Sequence, residues 1–185
     1  MGVTVRSDRF VAQAHDDTAL AERWLTRDPR MARAMSTWGE RAIDAAAHSG
    51  RRRLVRELLS YGADLDLFTA CASGDLRLTR VELQSYAQEP LGIHLLPLLH
   101  FAIVNDDLVM LEALIGEGVA VNPAGAAVSP LHSAVAQGDS RMLEALLDAG
   151  ADLCARDALG NSVIDWASDL LGFDSPIFEV LDKAG

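Results

Sequence analysis

Ser129-Pro130-Leu131-His132-Ser133-Ala134, the start of a stretch that runs on through Gly138-Asp139 to Gly150-Ala151-Asp152-Leu153, decides the fold. Ser129 is placed as an N-cap, and Pro130 suits the first helical position, where no N–H is needed. Leu131 and Ala134 recur at helical spacing, and the small alanines admit a close neighbouring helix. Gly138 offers a left-handed stop after two turns, and Asp139 stands ready to cap a second helix. Met142, Leu143, Leu146 and Leu147 share one face of that helix, which Gly150 ends. Helices this short are unstable alone in water, so the pair must stack on others like it.

Composition agrees. The 185 residues are 50% hydrophobic, 23% charged and only 5% aromatic, with formal charge −11 and a pI near 4.7. That describes a folded chain with a core of Leu, Ala and Val, neither disordered nor membrane-spanning. The apolar run 91–104 is too short to cross a bilayer and is interrupted by Pro97. Residues 1–9 hold no apolar signal segment. Cys71 and Cys154 lack metal-ligand spacing and suggest reduced thiols, hence a cytoplasmic setting. Fifteen arginines against the single Lys183, with abundant Ala, Leu and Asp, hint at a GC-rich bacterial source.

The Ser-Pro-Leu-His-Ser-Ala segment, with its Gly-Asp and Gly-Ala-Asp-Leu continuations, resembles the ankyrin repeat, differing from the family's Thr-Pro-Leu-His-x-Ala only by Ser for Thr. The resemblance implies an all-α repeat solenoid of helix–loop–helix units with β-hairpin fingers, in which fingers and first helices line a concave binding face. Six units follow, at approximately 8–36, 37–66, 67–92, 93–125, 126–157 and 158–185, forming one domain. In the first, Phe10 takes the place of His132 and Asp16 that of the left-handed Gly138. In the second and sixth, Asp44 and Asp165 replace the histidine. The third has almost no finger and a poorly periodic second helix (Leu76, Leu78, Val81, Leu83), so an interrupted face is expected there. The fourth carries Pro97-Leu98-Leu99-His100, with Asp106 in the glycine place.

No catalytic constellation emerges. His100 and His132 occupy the motif position where the family's imidazole bridges neighbouring repeats. His94 lies in a loop, and His15 and His48 end first helices, where they are expected to be solvated. No Cys, carboxylate or second His converges at ligand spacing, so neither a metal nor a cofactor is expected. Gly160-Asn161-Ser162-Val163-Ile164 lacks the last glycine of a nucleophile elbow, and no phosphate-binding glycine loop occurs. Asp16-Asp17 and Asp106-Asp107 are explained by helix capping.

Charge is divided. Residues 1–90 contain 13 Arg and 13 acidic residues, whereas 91–185 contain three basic and 14 acidic ones. Arg51-Arg52-Arg53 with Arg56 is expected to be a solvated outer helix start rather than a nucleic-acid site, given the acidic total. The acidic half favours a basic protein surface.

Counting along the first helices predicts a concave face of His48, Ser73, Phe101, Val104, Asn105, Ser133 and Gln137, with Asn161 on a finger and Trp166 and Asp169 in the last unit. Ala45, Ser49, Thr69, Ala72, Ala136 and Leu170 hold equivalent positions. Phe101, Val104 and Trp166 would form an apolar centre inside an acidic rim. The function expected is a monomeric, non-enzymatic protein-binding module that touches neither nucleic acid nor membrane, in one version an inhibitor masking a basic enzyme. The alternatives are a small hydrolase or ligand-binding protein using concave histidines and carboxylates, and a structural scaffold.

Overall fold

The computed structural model describes residues 2–86, 91–172 and 174–184, with side chains from residue 5 onward. Twelve α-helices lie among the described residues, falling into two compact units divided after Tyr86. No strand forms among those residues; the fingers contribute only the isolated bridges Met35–Arg41, Leu91–Pro97 and Arg156–Ser162.

The first unit contains α1 (Gly2–Asp16), α2 (Thr18–Arg27), α3 (Ala42–His48), α4 (Arg52–Ser60), α5 (Leu67–Ser73) and α6 (Leu76–Leu83). These are three helix pairs, and the first helices stack in series, α1 on α3 and α3 on α5. Phe10, Leu25, Ile43, Leu54, Leu58 and Leu67 are fully buried between them. Asp16 does not adopt the left-handed conformation expected of it: it closes the long helix α1, and the chain turns into α2 at Asp17, whose carboxylate accepts from the Leu20 N–H. The missing third finger is plain. Only Tyr61 to Asp66 separate α4 from α5, and a reciprocal cap between Asp66 and Thr69 replaces the hairpin as the start of α5. Thr79 is the one buried residue of α6, and Val81 is exposed, in a helix whose apolar periodicity is weak.

The second unit contains α7 (Leu98–Ile103), α8 (Leu108–Gly116), α9 (Pro130–Gln137), α10 (Ser140–Asp148), α11 (Val163–Leu170) and α12 (Pro176–Ala184). First helices stack as α7, α9, α11 and second helices as α8, α10, α12. Backbone hydrogen bonds run from finger to finger: Ala127 N–H to the Leu95 carbonyl, and Ala158 N–H to the Ala127 carbonyl. The deciding stretch folds as its chemistry requires. Ser129 caps α9, Gly138 is left-handed at φ +68°, and the Asp139 carboxylate accepts from the backbone of Arg141 and Met142. Met142, Leu143 and Leu146 are buried.

Asp106 does take the left-handed conformation, at φ +51°, where the next repeat has Gly138. A Cβ there costs about 1–2 kcal/mol, part of which glycine's greater unfolded freedom returns. Asp106→Gly is expected to raise stability by about 1 kcal/mol, read as a higher urea midpoint at unchanged slope.

Candidate functional site

The expected concave residues divide sharply once the helices are stacked. Gln137, Asn161 and Asp169 are exposed, and Val104, Trp166 and His48 are half-buried. Phe101 (1% exposed), Ser133 (3%), Asn105 (8%) and Ser73 (4%) are buried, so all four depart from the expected face. The same holds for Ala45, Thr69 and Ala72, each fully buried. A first helix of only six to eight residues (α7 and α9) sits within a row of such helices, and its neighbours cover a wider arc than periodicity implies. The end of the helix alone projects: Ala136 and Gln137 from α9, Asp169 and Leu170 from α11.

The buried polar members of that set serve the fold. Ser133 Oγ lies 2.8 Å from His100 Nδ1 of the preceding repeat. Asn105 Nδ2 donates to the Phe101 carbonyl at 2.8 Å, and the Ser73 hydroxyl donates to the Ala70 carbonyl at 2.7 Å. His132 behaves as the motif implies, with Nδ1 2.8 Å from Ser129 Oγ and Nε2 3.2 Å from the Asn161 carbonyl of the next finger. Burial pushes its pKa down, partly offset by that carbonyl and by Asp157.

Trp166 stands edge-on to His132, with ring centres 5.2 Å apart. Its Nε1 donates to Asp157 at 2.9 Å, and the same carboxylate accepts from the Asn161 backbone and side chain. The Asn161 side chain leads the effects that hold the Asp157 carboxyl at about 2, ahead of an opposing desolvation and the Trp166 bond. The folded-state value is below the ordinary 3.8. The stabilisation it brings is therefore complete above the ordinary carboxylate range and is lost as pH falls toward 2. Acid titration of the Trp166 indole N–H resonance should accordingly show a midpoint well below 3.8, and Asn161→Ala should move it upward.

Arg53 and Arg56 of the basic cluster are exposed, and the cluster also bonds within the first unit. Arg51 Nε donates to the His15 carbonyl at 3.0 Å, Arg56 Nε to the Ser73 carbonyl at 2.6 Å, and Arg53 pairs with Glu22 at 2.9 Å. Cys71 is buried and Cys154 exposed, and no disulfide joins them.

His15 and His48 are not the solvated residues expected. The end of α1, the first finger and the end of α3 bring them onto Glu40, which is 3% exposed. His15 Nε2 lies 3.1 Å from Glu40 Oε2, and His48 Nε2 lies 2.8 Å from Oε1. Trp38 Nε1 donates to Oε2 at 2.9 Å. Burial pushes the Glu40 carboxyl up, but bonds from Trp38, His48 and His15 outweigh it and hold it at about 2. The two imidazole rings meet at 4.8 Å. Sequence reasoning missed this convergence because 25 residues separate His15 from Glu40.

Stacked helix pairs bridged by His100 and His132 define a helical-repeat fold. The ankyrin repeat family model matches residues 128–158. The chain resembles the crystal structure of the human ASB11 ankyrin repeat domain, with 23% identity and a TM-score of 0.55, over 91% of this chain and 78% of that one. No curated protein matches by sequence. The chain contains an ankyrin repeat at residues 128–158 and has an α repeat solenoid fold. Ankyrin repeats are in general protein–protein interaction modules and typically non-enzymatic. No described helix is long and apolar enough to cross a membrane.

Proposed function

We propose that residues 1–185 form one ankyrin-repeat domain of six units that acts, as a cytoplasmic monomer, by binding a partner protein through the concave side of its repeats. The observation that carries this reading is the exposed end of α9 and α11. There Ala136, Gln137, Asp169 and Leu170 project beside Asn161 and the half-buried Trp166, and Leu170 is an exposed large apolar residue. A fixed face of this kind loses little entropy on binding, and a partly covered Trp held by its indole N–H suits an anchor. The excess of 14 acidic over three basic residues in 91–185 favours a basic partner surface and fast, salt-sensitive association.

The test is affinity capture with the immobilised chain, followed by titration of the captured protein. Asp169→Lys/Leu170→Ala should weaken binding at least tenfold, and affinity should fall steeply with salt. Glu144→Lys, on the exposed side of α10, should have little effect. Equal binding by the double variant, or salt-independent affinity, would overturn this assignment.

A further inference from the structure

We propose that His15, Glu40 and His48 form a binding site for a divalent transition-metal ion of the zinc class, clamping the end of α1 and the first finger to the end of α3. One ligand atom from each residue lies within 4.8 Å of the others. A tetrahedral Zn²⁺ with bonds of about 2.0–2.2 Å holds its ligand atoms about 3.3 Å apart. The two imidazole–carboxylate separations, 3.1 Å to Oε2 and 2.8 Å to Oε1, fall only slightly short of that value, so small outward side-chain rotations suffice to seat the ion. Two imidazole nitrogens with one carboxylate is a donor set that zinc-class ions accept, whereas Mg²⁺ and Ca²⁺ seek oxygen.

The surroundings supply what a metal site needs beyond its ligands. Ser49 Oγ lies 3.1 Å from His15 Nδ1. A hydroxyl both donates and accepts, so it serves either tautomer. Without metal, His15 Nε2–H donates to Glu40; with metal, the proton resides on Nδ1, donating to Ser49, and the Nε2 lone pair turns to the ion. Trp38 Nε1 orients the carboxylate at 2.9 Å, the kind of outer-shell bond that tunes a ligand. The Glu40 side chain is 3% exposed, whereas those of His15 and His48 are 27% and 15% exposed. The anchor is thus buried, the histidine side is open for entry, and a water can fill the fourth position. The ligands span three segments of the unit, so binding energy is also folding energy.

Nothing in the repeat motif demands these residues. Matching the last two repeats to the first two, Gln137, Asn161 and Asp169 take the places of His15, Glu40 and His48, and all three are exposed. Convergence of two histidines on a carboxylate is a property of the first unit.

Zn²⁺ and Mg²⁺ are titrated separately into the full chain near pH 7.5 by calorimetry, with affinities refined by chelator competition. One Zn²⁺ per chain and no Mg²⁺ are expected, with His15→Gln and His48→Gln each weakening Zn²⁺ at least tenfold. The exposed His94, in a turn of the second unit, is the control, and His94→Gln should leave affinity unchanged. Should either ligand variant fail to fold by circular dichroism, the unaltered chain still decides. Its long-range imidazole ¹⁵N spectrum should show Zn²⁺ shifting the His15 and His48 Nε2 signals together. Absence of binding, unchanged affinity in the variants, or shifts confined to His94, His100 or His132 would overturn the proposal.

Discussion

Phe101→Ala is expected to destabilise the protein by about 3–5 kcal/mol, the range for truncating a buried aromatic. Phe101 is 1% exposed in the middle of α7, with its carbonyl bonded by Asn105 Nδ2 and the His100 ring edge-on at 5.5 Å. Removing the ring leaves a cavity among α7 and its neighbours α8 and α9, which a stack of short helices cannot close without shifting a repeat. Urea denaturation should show the loss directly, and Phe101→Leu, which keeps most of the volume, should cost far less. The opposite pattern, full stability with weakened partner capture, is what the expected concave position would give. The two placements of Phe101 therefore differ in which assay moves.

That residue also marks where the sequence stops being readable. Ser129, Pro130, Gly138 and Asp139 were legible because each acts within a few residues of its own backbone: a cap, a fixed φ, a left-handed turn, another cap. The same applies to Asp106, whose left-handed conformation follows from its place before Asp107 and α8. Burial of Phe101, Ser133 and Asn105 is set instead by how closely neighbouring first helices approach, and a single helix's periodicity says nothing of that. Asp16 departs for a local reason: α1 runs on to its position, and Asp17 behind it caps α2.

The histidine–carboxylate cluster was hidden by separation rather than by chemistry. A signal did exist. Phe10 and Asp44 hold the same motif position in successive repeats, which sets His15 opposite Ser49 and one residue from His48. Comparing helix ends across that register brings the two imidazoles together, and the finger between them carries Glu40. Spacing along the chain, the usual test for ligands, does not reveal residues that meet only by stacking.

Leu146→Ala is the other large effect, about 2–5 kcal/mol, and it tests the register of the deciding stretch. Met142, Leu143, Leu146 and Leu147 were assigned to one apolar face, yet Leu146 is fully buried and Leu147 only half-buried. α10 packs against α9, α8 and α12, and of its leucines Leu143 and Leu146 are buried there whereas Leu147 is half-buried. Leu147→Ala should therefore cost clearly less than Leu146→Ala in the same denaturation experiment. Because each repeat is held only by its neighbours, a void at Leu146 weakens contacts on both sides of α10 at once. Equal losses at 146 and 147 would place the helix one residue out of register. A Leu146→Ala variant as stable as the parent would remove the fifth repeat from the core altogether.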